Sequence, residues 1–388
     1  MDTVPTRKGL WQSLGEPRTF ASLVILYCAV HVLVRFLLSP NLNLSEAEQM
    51  LLGQSLQPNY RPDQPPLMMW LSWAVLALAQ HSRLALFLLR ELLVGIALTA
   101  YFAAARIVIG DGRRAALSAF FLMATFGMGW LVHIGRFETV LLAAMCALYL
   151  WADARALARG SVVDYVVLGL VTGLGVLSSY VFLIFVFAMS VAVALTPELR
   201  TRLKLQPLLI AAAIALAIVG LYLAFAWGAR VGELAGKPAS ELRIVSNFLI
   251  ALVMFALLAI VIFPFLYPRA CLPLPDAVQH RSWLRFCKIA MIAALVTGLA
   301  AALLFRGADS KEGWIYPVLL PLPVYLLLRA KLAYFDSEAR DRKFMGFVIL
   351  CVVGAITARA VMYETGAKTY RNYVEYLPFA RYADSFRQ

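Results

Sequence analysis

Long apolar runs recur along the chain and are separated by charged residues or by Pro and Gly. An α-helix of about 17 to 25 apolar residues is long enough to cross the hydrocarbon layer of a bilayer. Boundaries placed where the runs meet charges predict eleven transmembrane helices, at 19–38, 85–106, 114–132, 138–154, 162–178, 180–196, 207–227, 246–266, 286–305, 314–329 and 344–363. The sequence therefore predicts an all-α integral membrane protein.

Composition leaves no room for a large soluble domain, since 62% of the 388 residues are hydrophobic and only 15% are charged. We expect one transmembrane domain at 19–363, preceded by a cytoplasmic segment, 1–18, and followed by an outward tail, 364–388. The first apolar run has no small-residue cleavage site after it, so it is predicted to be a retained helix and not a signal peptide.

A net charge of +13 would suggest nucleic acid as the partner of a soluble protein. Here the basic residues collect at alternate ends of the predicted helices, which is the pattern of the positive-inside rule. We therefore expect membrane lipids and no nucleic acid as partners, with the N-terminus cytoplasmic. The inner clusters are Arg106/Arg113/Arg114, Arg155/Arg159, Arg200/Arg202/Lys204, Arg269/Arg281/Arg285/Lys288 and Arg329/Lys331/Arg340/Arg342/Lys343.

The first outward loop, residues 39–84, is long and patterned. Ser45-Glu46-Ala47-Glu48 precedes Met50, Leu51 and Leu52, a pattern typical of a capped amphipathic helix on the membrane surface. A second helix is predicted after Pro65-Pro66, because Pro is tolerated in the first turn of a helix. The sequence thus predicts two interfacial helices in this loop, of which the second could also be a short re-entrant piece.

Charges of both signs gather near the outward membrane surface, where a charged side chain is costly unless it is paired or used. A carboxylate can take a proton from a hydroxyl group, and Arg or Lys can hold a phosphate. These groups together could move a group off a lipid phosphate. The acids are Glu46, Glu48, Asp63 and Glu138, and the bases are Arg61, Arg83, Arg90, Arg136, Arg306 and Lys311.

Several motifs occur in a definite order along most of the chain: YRPDQPPLMMWL, RELLVG, GRFETVLLAAMCALYLWA, GLVTGLGVLSSYVF and EGWIYPVLLPLPVYLLL. The ordered set resembles the polyprenyl-phosphate-sugar-dependent membrane glycosyltransferases of the C-type fold. Within them it is most similar to the lipopolysaccharide galacturonosyltransferases and lipid A aminoarabinose transferases, with protein O-mannosyltransferases more distant. The resemblance implies a polyprenyl-phosphate-linked sugar as donor, a glycolipid or glycan acceptor in the bacterial envelope, and an active face on the periplasmic side of the inner membrane.

The resemblance also implies roles for individual residues. Ser45-Glu46 stands where the family has an Asp-Glu pair whose Asp is catalytic, and Glu138 stands where it has a second Asp. Asp63 matches a family acid that can ligate a divalent metal ion, the one cofactor implied. The catalytic candidates are Glu46, Glu48 and Glu138, and the candidates for binding the donor phosphate are Arg61, Arg90, Arg136, Arg306, Lys311 and Tyr180.

Two departures from the family favour a rival interpretation. Serine at Ser45 cannot serve as a base without a partner, and Ser179, before Tyr180, replaces a frequent Lys. The rival is a relative that has lost catalysis and acts as a lipid-linked-sugar binder, a flippase or a partner subunit. A solute transporter ranks last, because the centres of the predicted helices are nearly free of ionisable residues and no repeat is evident.

Simpler structural roles also remain open for the candidate residues. Glu48 can be a favourable charge at a helix N-terminus, and Asp63 can set a turn. Glu138 can pair with Arg136, and Arg90 with Glu91. The five cysteines and four histidines are dispersed in the sequence, which predicts no cluster of metal ligands. Three glycines of the fifth predicted span indicate close helix packing: Gly169, Gly173 and Gly175.

Overall fold

A computed structural model describes residues 10–38, 42–60, 64–80, 82–226, 241–272, 281–305, 319–334 and 338–369. Its longer elements are all helices, here numbered in chain order. They are α1 Pro17–Leu38, α2 Leu44–Leu52, α3 Leu67–Leu78, α4 Arg83–Ile109, α5 Gly112–Ala124, α6 Phe137–Arg159, α7 Val162–Ser178, α8 Phe182–Ala194, α9 Leu205–Ala226, α10 Glu241–Leu266, α11 Arg281–Phe305, α12 Pro321–Ala333 and α13 Glu338–Thr369.

Every predicted transmembrane span overlaps one of these helices, although residues 227 and 314–318 lie outside the described ranges. In the part of the chain that the structure describes, seven helices are long and apolar enough to cross a membrane. The number rises to eight if a bent pair of helices counts as one span. The all-α membrane fold is therefore confirmed, whereas the count of eleven stays a prediction.

The bent pair lies where the sequence predicts one straight span at 114–132. Helix α5 ends at Ala124, and a π-helical turn, Gly127–Leu131, then continues into a short helix, Val132–Ile134. The axis of Gly127–Ile134 is bent by 68° from the axis of α5. A Cβ atom at Gly129 would lie 2.0 Å from the carbonyl oxygen of Met123. The close backbone approach at the bend therefore requires glycine at this position.

Helices α4 and α6 form the centre of the bundle, packed against each other and flanked by α1, α5 and α7. In the most apolar part of α6, 83% of residues are buried, against 11% in α13. The peripheral helices expose apolar side chains, as expected for surfaces that face lipid. The ends of the central helices that lie next to α2 and α3, here named the outward ends after the predicted topology, hold the candidate site.

Both helices predicted in the first loop are present as α2 and α3, while their position at the membrane interface stays a prediction. Asn43 is the N-cap of α2, since its side chain accepts a hydrogen bond from the Glu46 amide at 2.8 Å. The Glu46 carboxylate accepts in return from the Asn43 amide at 2.9 Å, which completes a capping box. The cap thus lies two residues before Ser45. Helix α3 follows directly after Pro66.

Candidate active site

Glu46 is fully buried on the inner face of α2, where Gln49 is its buried neighbour one turn later. Arg35, near the outward end of α1, pairs with it through two guanidinium nitrogens, one of them Nε at 3.1 Å from Oε1. Arg90 of α4 places Nη1 4.0 Å from the same oxygen. A predicted catalytic acid therefore lies between two buried arginines.

The electrostatic surroundings of Glu46 keep it ionised. Burial alone raises the pKa of the Glu46 carboxyl, but the hydrogen bond from Arg35 and the charge of Arg90 outweigh burial and hold that pKa below the usual glutamate range. A carboxylate with a low pKa and two charge-assisted partners accepts a further proton poorly. In this arrangement Glu46 is better suited to fixing charge than to removing a proton.

Arg90, predicted to bind the donor phosphate, is itself buried and has several protein partners. Its Nη1 donates to the carbonyl of His133 at 2.6 Å, and its Nη2 donates to the carbonyl of Gly135 at 3.0 Å. Its guanidinium also lies over the ring of Phe137, 4.2 Å from the centroid. Arg90 thus joins α2 to the segment just before Glu138, and the phosphate role stays a prediction.

Glu138, in the first turn of α6, is half-buried and close to α2. Gln49 Nε2 lies 3.3 Å from its Oε1, and Gln49 in turn accepts a hydrogen bond from Ser72 of α3 at 2.6 Å. The amide of Phe137 lies 3.3 Å from Ser45 Oγ. The structure therefore brings Ser45 and Glu138, from segments far apart in the sequence, to one place.

A small pocket, partly open to solvent and with room for about one water molecule, lies beside Glu138. Among its described lining residues Glu138 is the one carboxylate. The rest of the wall comes from the residues before α3 and from its first turn, namely Tyr60, Gln64, Pro65, Pro66, Met68 and Met69. The Pro-Pro motif therefore forms one wall of this pocket, and Glu138 contributes to the other.

The other predicted site residues fall into two groups. Glu48 is partly exposed on α2, Arg136 is exposed directly before α6, and Tyr180 is 42% exposed next to Tyr222 of α9. Arg61, Asp63, Arg306 and Lys311 lie outside the described residues, so their roles, including the metal site at Asp63, stay predictions.

Two histidines that are far apart in the sequence meet inside the protein. His31 of α1 and His133 stack with ring centroids 3.6 Å apart, and Glu91 Oε1 lies 2.8 Å from His133 Nδ1. Potential ligand atoms of these three side chains lie within 4.8 Å of one another. The sequence did not predict that these side chains meet, because the helix packing joins residues that are remote in sequence, while the absence of a multi-histidine metal cluster stays a prediction.

Arg35 was missed as a site residue, although the sequence holds a signal for it. Tyr27, His31 and Arg35 recur at every fourth position of α1, so they share one face of that helix. All three are buried in a helix whose other residues mostly face outward. A polar stripe at helical spacing within an apolar span predicts a buried partner.

Comparison with known proteins gives matches along nearly the whole chain. Residues 63–225 match the family described as dolichyl-phosphate-mannose-protein mannosyltransferase. The chain is 30% identical over 360 residues to lipopolysaccharide core galacturonosyltransferase RgtA of Rhizobium johnstonii, covering 89% of this chain and 71% of the relative. RgtB of the same organism is 28% identical over 350 residues, covering 87% of this chain and 70% of the relative.

Solved structures show the same fold. The crystal structure of ArnT from Cupriavidus metallidurans bound to undecaprenyl phosphate aligns with a TM-score of 0.62 at 17% identity, over 90% of this chain and 66% of that chain. The apo state of that protein aligns with a TM-score of 0.61 at 15% identity, over 89% of this chain and 72% of that chain. At these identities the likeness concerns the arrangement of helices.

Proposed function

Because this chain belongs to the protein mannosyltransferase superfamily of C-type-fold membrane glycosyltransferases, we propose that it transfers a sugar from a polyprenyl phosphate to an envelope glycolipid. In this reaction an acceptor hydroxyl oxygen bonds to the anomeric carbon, and the bond from that carbon to the phosphate oxygen breaks. The hydroxyl proton goes to a protein carboxylate, and polyprenyl phosphate leaves with the bonding electrons.

The relatives support a more specific choice of substrates. Two of them are named as galacturonosyltransferases of the lipopolysaccharide core, and a structure with the same fold holds undecaprenyl phosphate. We therefore propose undecaprenyl-phosphate galacturonic acid as the donor and a sugar hydroxyl of the lipopolysaccharide core or lipid A as the acceptor. The site would face the periplasm from the inner membrane.

The pocket beside Glu138 is the observation that carries this proposal. Glu138 is half-buried and lines space that a substrate hydroxyl could enter, whereas Glu46 is enclosed by Arg35 and Arg90. A general base must come within hydrogen-bonding distance of the proton that it removes. We assign the role of base to Glu138 and a charge-fixing role to Glu46, with Glu48 as an acid at the edge of the site.

Binding of the donor phosphate would fall to the exposed cation Arg136, two residues from Glu138, and to the exposed Tyr180. The described lining of the pocket offers oxygen donors from Glu138, Gln64 and Tyr60, a donor set that suits a hard divalent cation. Together with Asp63 these groups could hold such an ion, which would neutralise charge on the phosphate.

The test is transfer of galacturonic acid from undecaprenyl phosphate to lipopolysaccharide core by purified protein in detergent. We expect Glu138→Gln to lower kcat on the order of 10²-fold or more, since general-base catalysis supplies that much. Glu138→Asp should retain part of the rate. Glu198→Gln, which changes an exposed acid at the opposite end of the molecule, is the matched control. Unchanged turnover of E138Q would remove Glu138 from the mechanism.

Loss of catalysis with retained binding is the second candidate, because Ser45 lacks a carboxylate and the Glu46 carboxylate is already paired with Arg35. Under this alternative the protein would bind undecaprenyl phosphate without releasing sugar. A lack of transfer by the wild type and by Ser45→Asp, together with saturable binding of undecaprenyl phosphate, would favour it.

A further inference from the structure

His133 lies at the centre of a buried cluster that takes no direct part in the proposed chemistry. Its Nε2 is 2.8 Å from the hydroxyl of Tyr27, and its Nδ1 is 2.8 Å from Glu91 Oε1. Its ring stacks on His31 with an angle of 11° between the planes. The ring is only 2% exposed, so three side chains from two other helices fix its position.

The same cluster could be considered as a metal site, since His31 Nδ1 and Glu91 Oε2 are buried without a hydrogen-bond partner among the described residues. An imidazole nitrogen binds a metal ion in the plane of its ring. Two parallel rings 3.6 Å apart cannot both direct a lone pair at one ion. Both nitrogens of His133 are also engaged. The geometry therefore favours a hydrogen-bonded cluster.

The backbone beside His133 connects this cluster to the candidate active site. Arg90 holds the carbonyls of His133 and Gly135, and it reaches the carboxylate of Glu46. Two residues further on, the Phe137 amide lies within hydrogen-bonding distance of Ser45. The segment 133–137 is thus held at both ends immediately before Glu138.

Resting on the proposed role of Glu138, we propose that His133 is a positioning residue for the active site. Its contacts with Tyr27 and Glu91 hold segment 133–137 in place, and this segment determines where Glu138 stands relative to α2 and the pocket. The segment follows a bend of 68° and a π-helical turn, so its own helical hydrogen bonds do not orient it alone. A misplacement of about 1 Å at a reacting group can lower a rate on the order of 10²-fold.

Tyr27→Phe and His133→Ala test the inference by kinetics. Tyr27→Phe removes one hydroxyl and keeps the ring, and we expect kcat to fall about tenfold or more with KM for the donor unchanged, since a small misplacement of Glu138 lowers the rate. His133→Ala should lower kcat further. His133→Asn, whose side-chain amide can still reach Glu91, should retain part of kcat. Tyr165→Phe is the matched control, because its buried hydroxyl lies 3.1 Å from the Lys204 amide, on the opposite side of the bundle.

A second measurement does not depend on turnover. The rate at which a small maleimide labels Glu138→Cys reports the placement of that side chain. We expect this labelling rate to change severalfold when Tyr27→Phe or His133→Ala is added. Adding Tyr165→Phe should leave it unchanged. An unchanged labelling rate would overturn the inference, even if the wild type has no transferase activity. The inference would also be overturned if elemental analysis found one equivalent of divalent metal in the wild type and none in His31→Ala.

The kinetic outcomes separate this inference from the proposed function. If E138Q is inactive while Y27F and H133A turn over at the wild-type rate, the positioning role fails and the proposed function stands. If E138Q is as active as the wild type, the role of Glu138 as the base fails, and the labelling rates alone decide whether His133 positions this segment.

Discussion

Glu46 combines complete burial with two arginine neighbours, and that combination decides what it can do. Removing a carboxylate from water costs several kcal/mol, which only close cations and hydrogen bonds offset. Arg35, Arg90 and the Asn43 amide supply them here. The same partners lower the basicity of Glu46, so its burial favours a structural and electrostatic role. Glu138, in contrast, lies 3.3 Å from the side-chain amide of Gln49 and keeps a face toward the pocket.

Arg35→Ala should destabilise the protein by about 3–5 kcal/mol, because it leaves the Glu46 carboxylate buried beside a single, more distant cation. Thermal unfolding in detergent measures this loss. Arg35→Met combined with Glu46→Leu should recover much of the stability, since it removes both charges together.

The matched control for this change is Arg342→Ala. Arg342 pairs with Glu338 in an exposed i,i+4 ion pair, 62% and 43% exposed, and such a pair contributes only about 0.3–0.5 kcal/mol. Equal losses from Arg35→Ala and Arg342→Ala would contradict the account of Glu46 as a buried carboxylate that depends on its partner.

At the scale of elements, glycine sets the distance between α7 and α9. A Cβ atom at Gly169 would lie 2.5 Å from the carbonyl oxygen of Ala211, and one at Gly173 would lie 2.8 Å from the side chain of Ile218. The backbones therefore approach as closely as small residues allow, which confirms the packing role predicted for these glycines. This contact holds α7 between α9 and the central helix α6.

Gly169→Ala should destabilise the protein by about 1–3 kcal/mol, because the added methyl group meets backbone, which yields less readily than a flexible side chain. Gly220→Ala is the control, since nothing lies within 4 Å of its added Cβ atom. Its effect should stay within about 1 kcal/mol and be stabilising if anything. The melting temperatures of the two variants in detergent distinguish these outcomes. Equal melting temperatures would show that α7 and α9 lie further apart than the distances at Gly169 indicate.

At the scale of the whole molecule, polar contacts concentrate at the two ends of the bundle. At the end opposite the active site, Arg114 donates to the carbonyl of Tyr334, and Tyr267 donates to Asp341 at 2.7 Å. Lys204 donates to the carbonyl of Gly160 at 2.9 Å. The helix ends that carry the basic clusters thus meet on one side, as the alternating topology predicts, and many of the cations cap helix ends.

The positive-inside rule assigns that basic end to the cytoplasm. Gln54→Cys, in the exposed loop after α2, should therefore react with a membrane-impermeant maleimide in intact spheroplasts. Cys271, exposed at the basic end, should react only after the membrane is permeabilised. Labelling of Cys271 with protection of Q54C would mean that the protein has the inverse orientation.

Much of the site was within reach of the sequence, and the exceptions share a cause. Glu46, Glu138 and the Pro65-Pro66 motif do gather at the outward ends of the helices, because each lies near the end of a recognisable apolar run. The pairing of Arg35 with Glu46 and the meeting of His31 with His133 were not predicted. Those contacts depend on which faces of two helices meet, and apolar length does not determine rotation about a helix axis.

The sequence by itself determined that this protein is a bundle of membrane helices with two short helices in its first loop. Run length, capping residues and proline act locally, so a single stretch of chain shows their effect. Tertiary structure alone decided which acid is enclosed and which one faces a pocket. The free energy of a buried charge depends on partners that the fold brings from distant helices, as it brings Arg35 and Arg90 to Glu46.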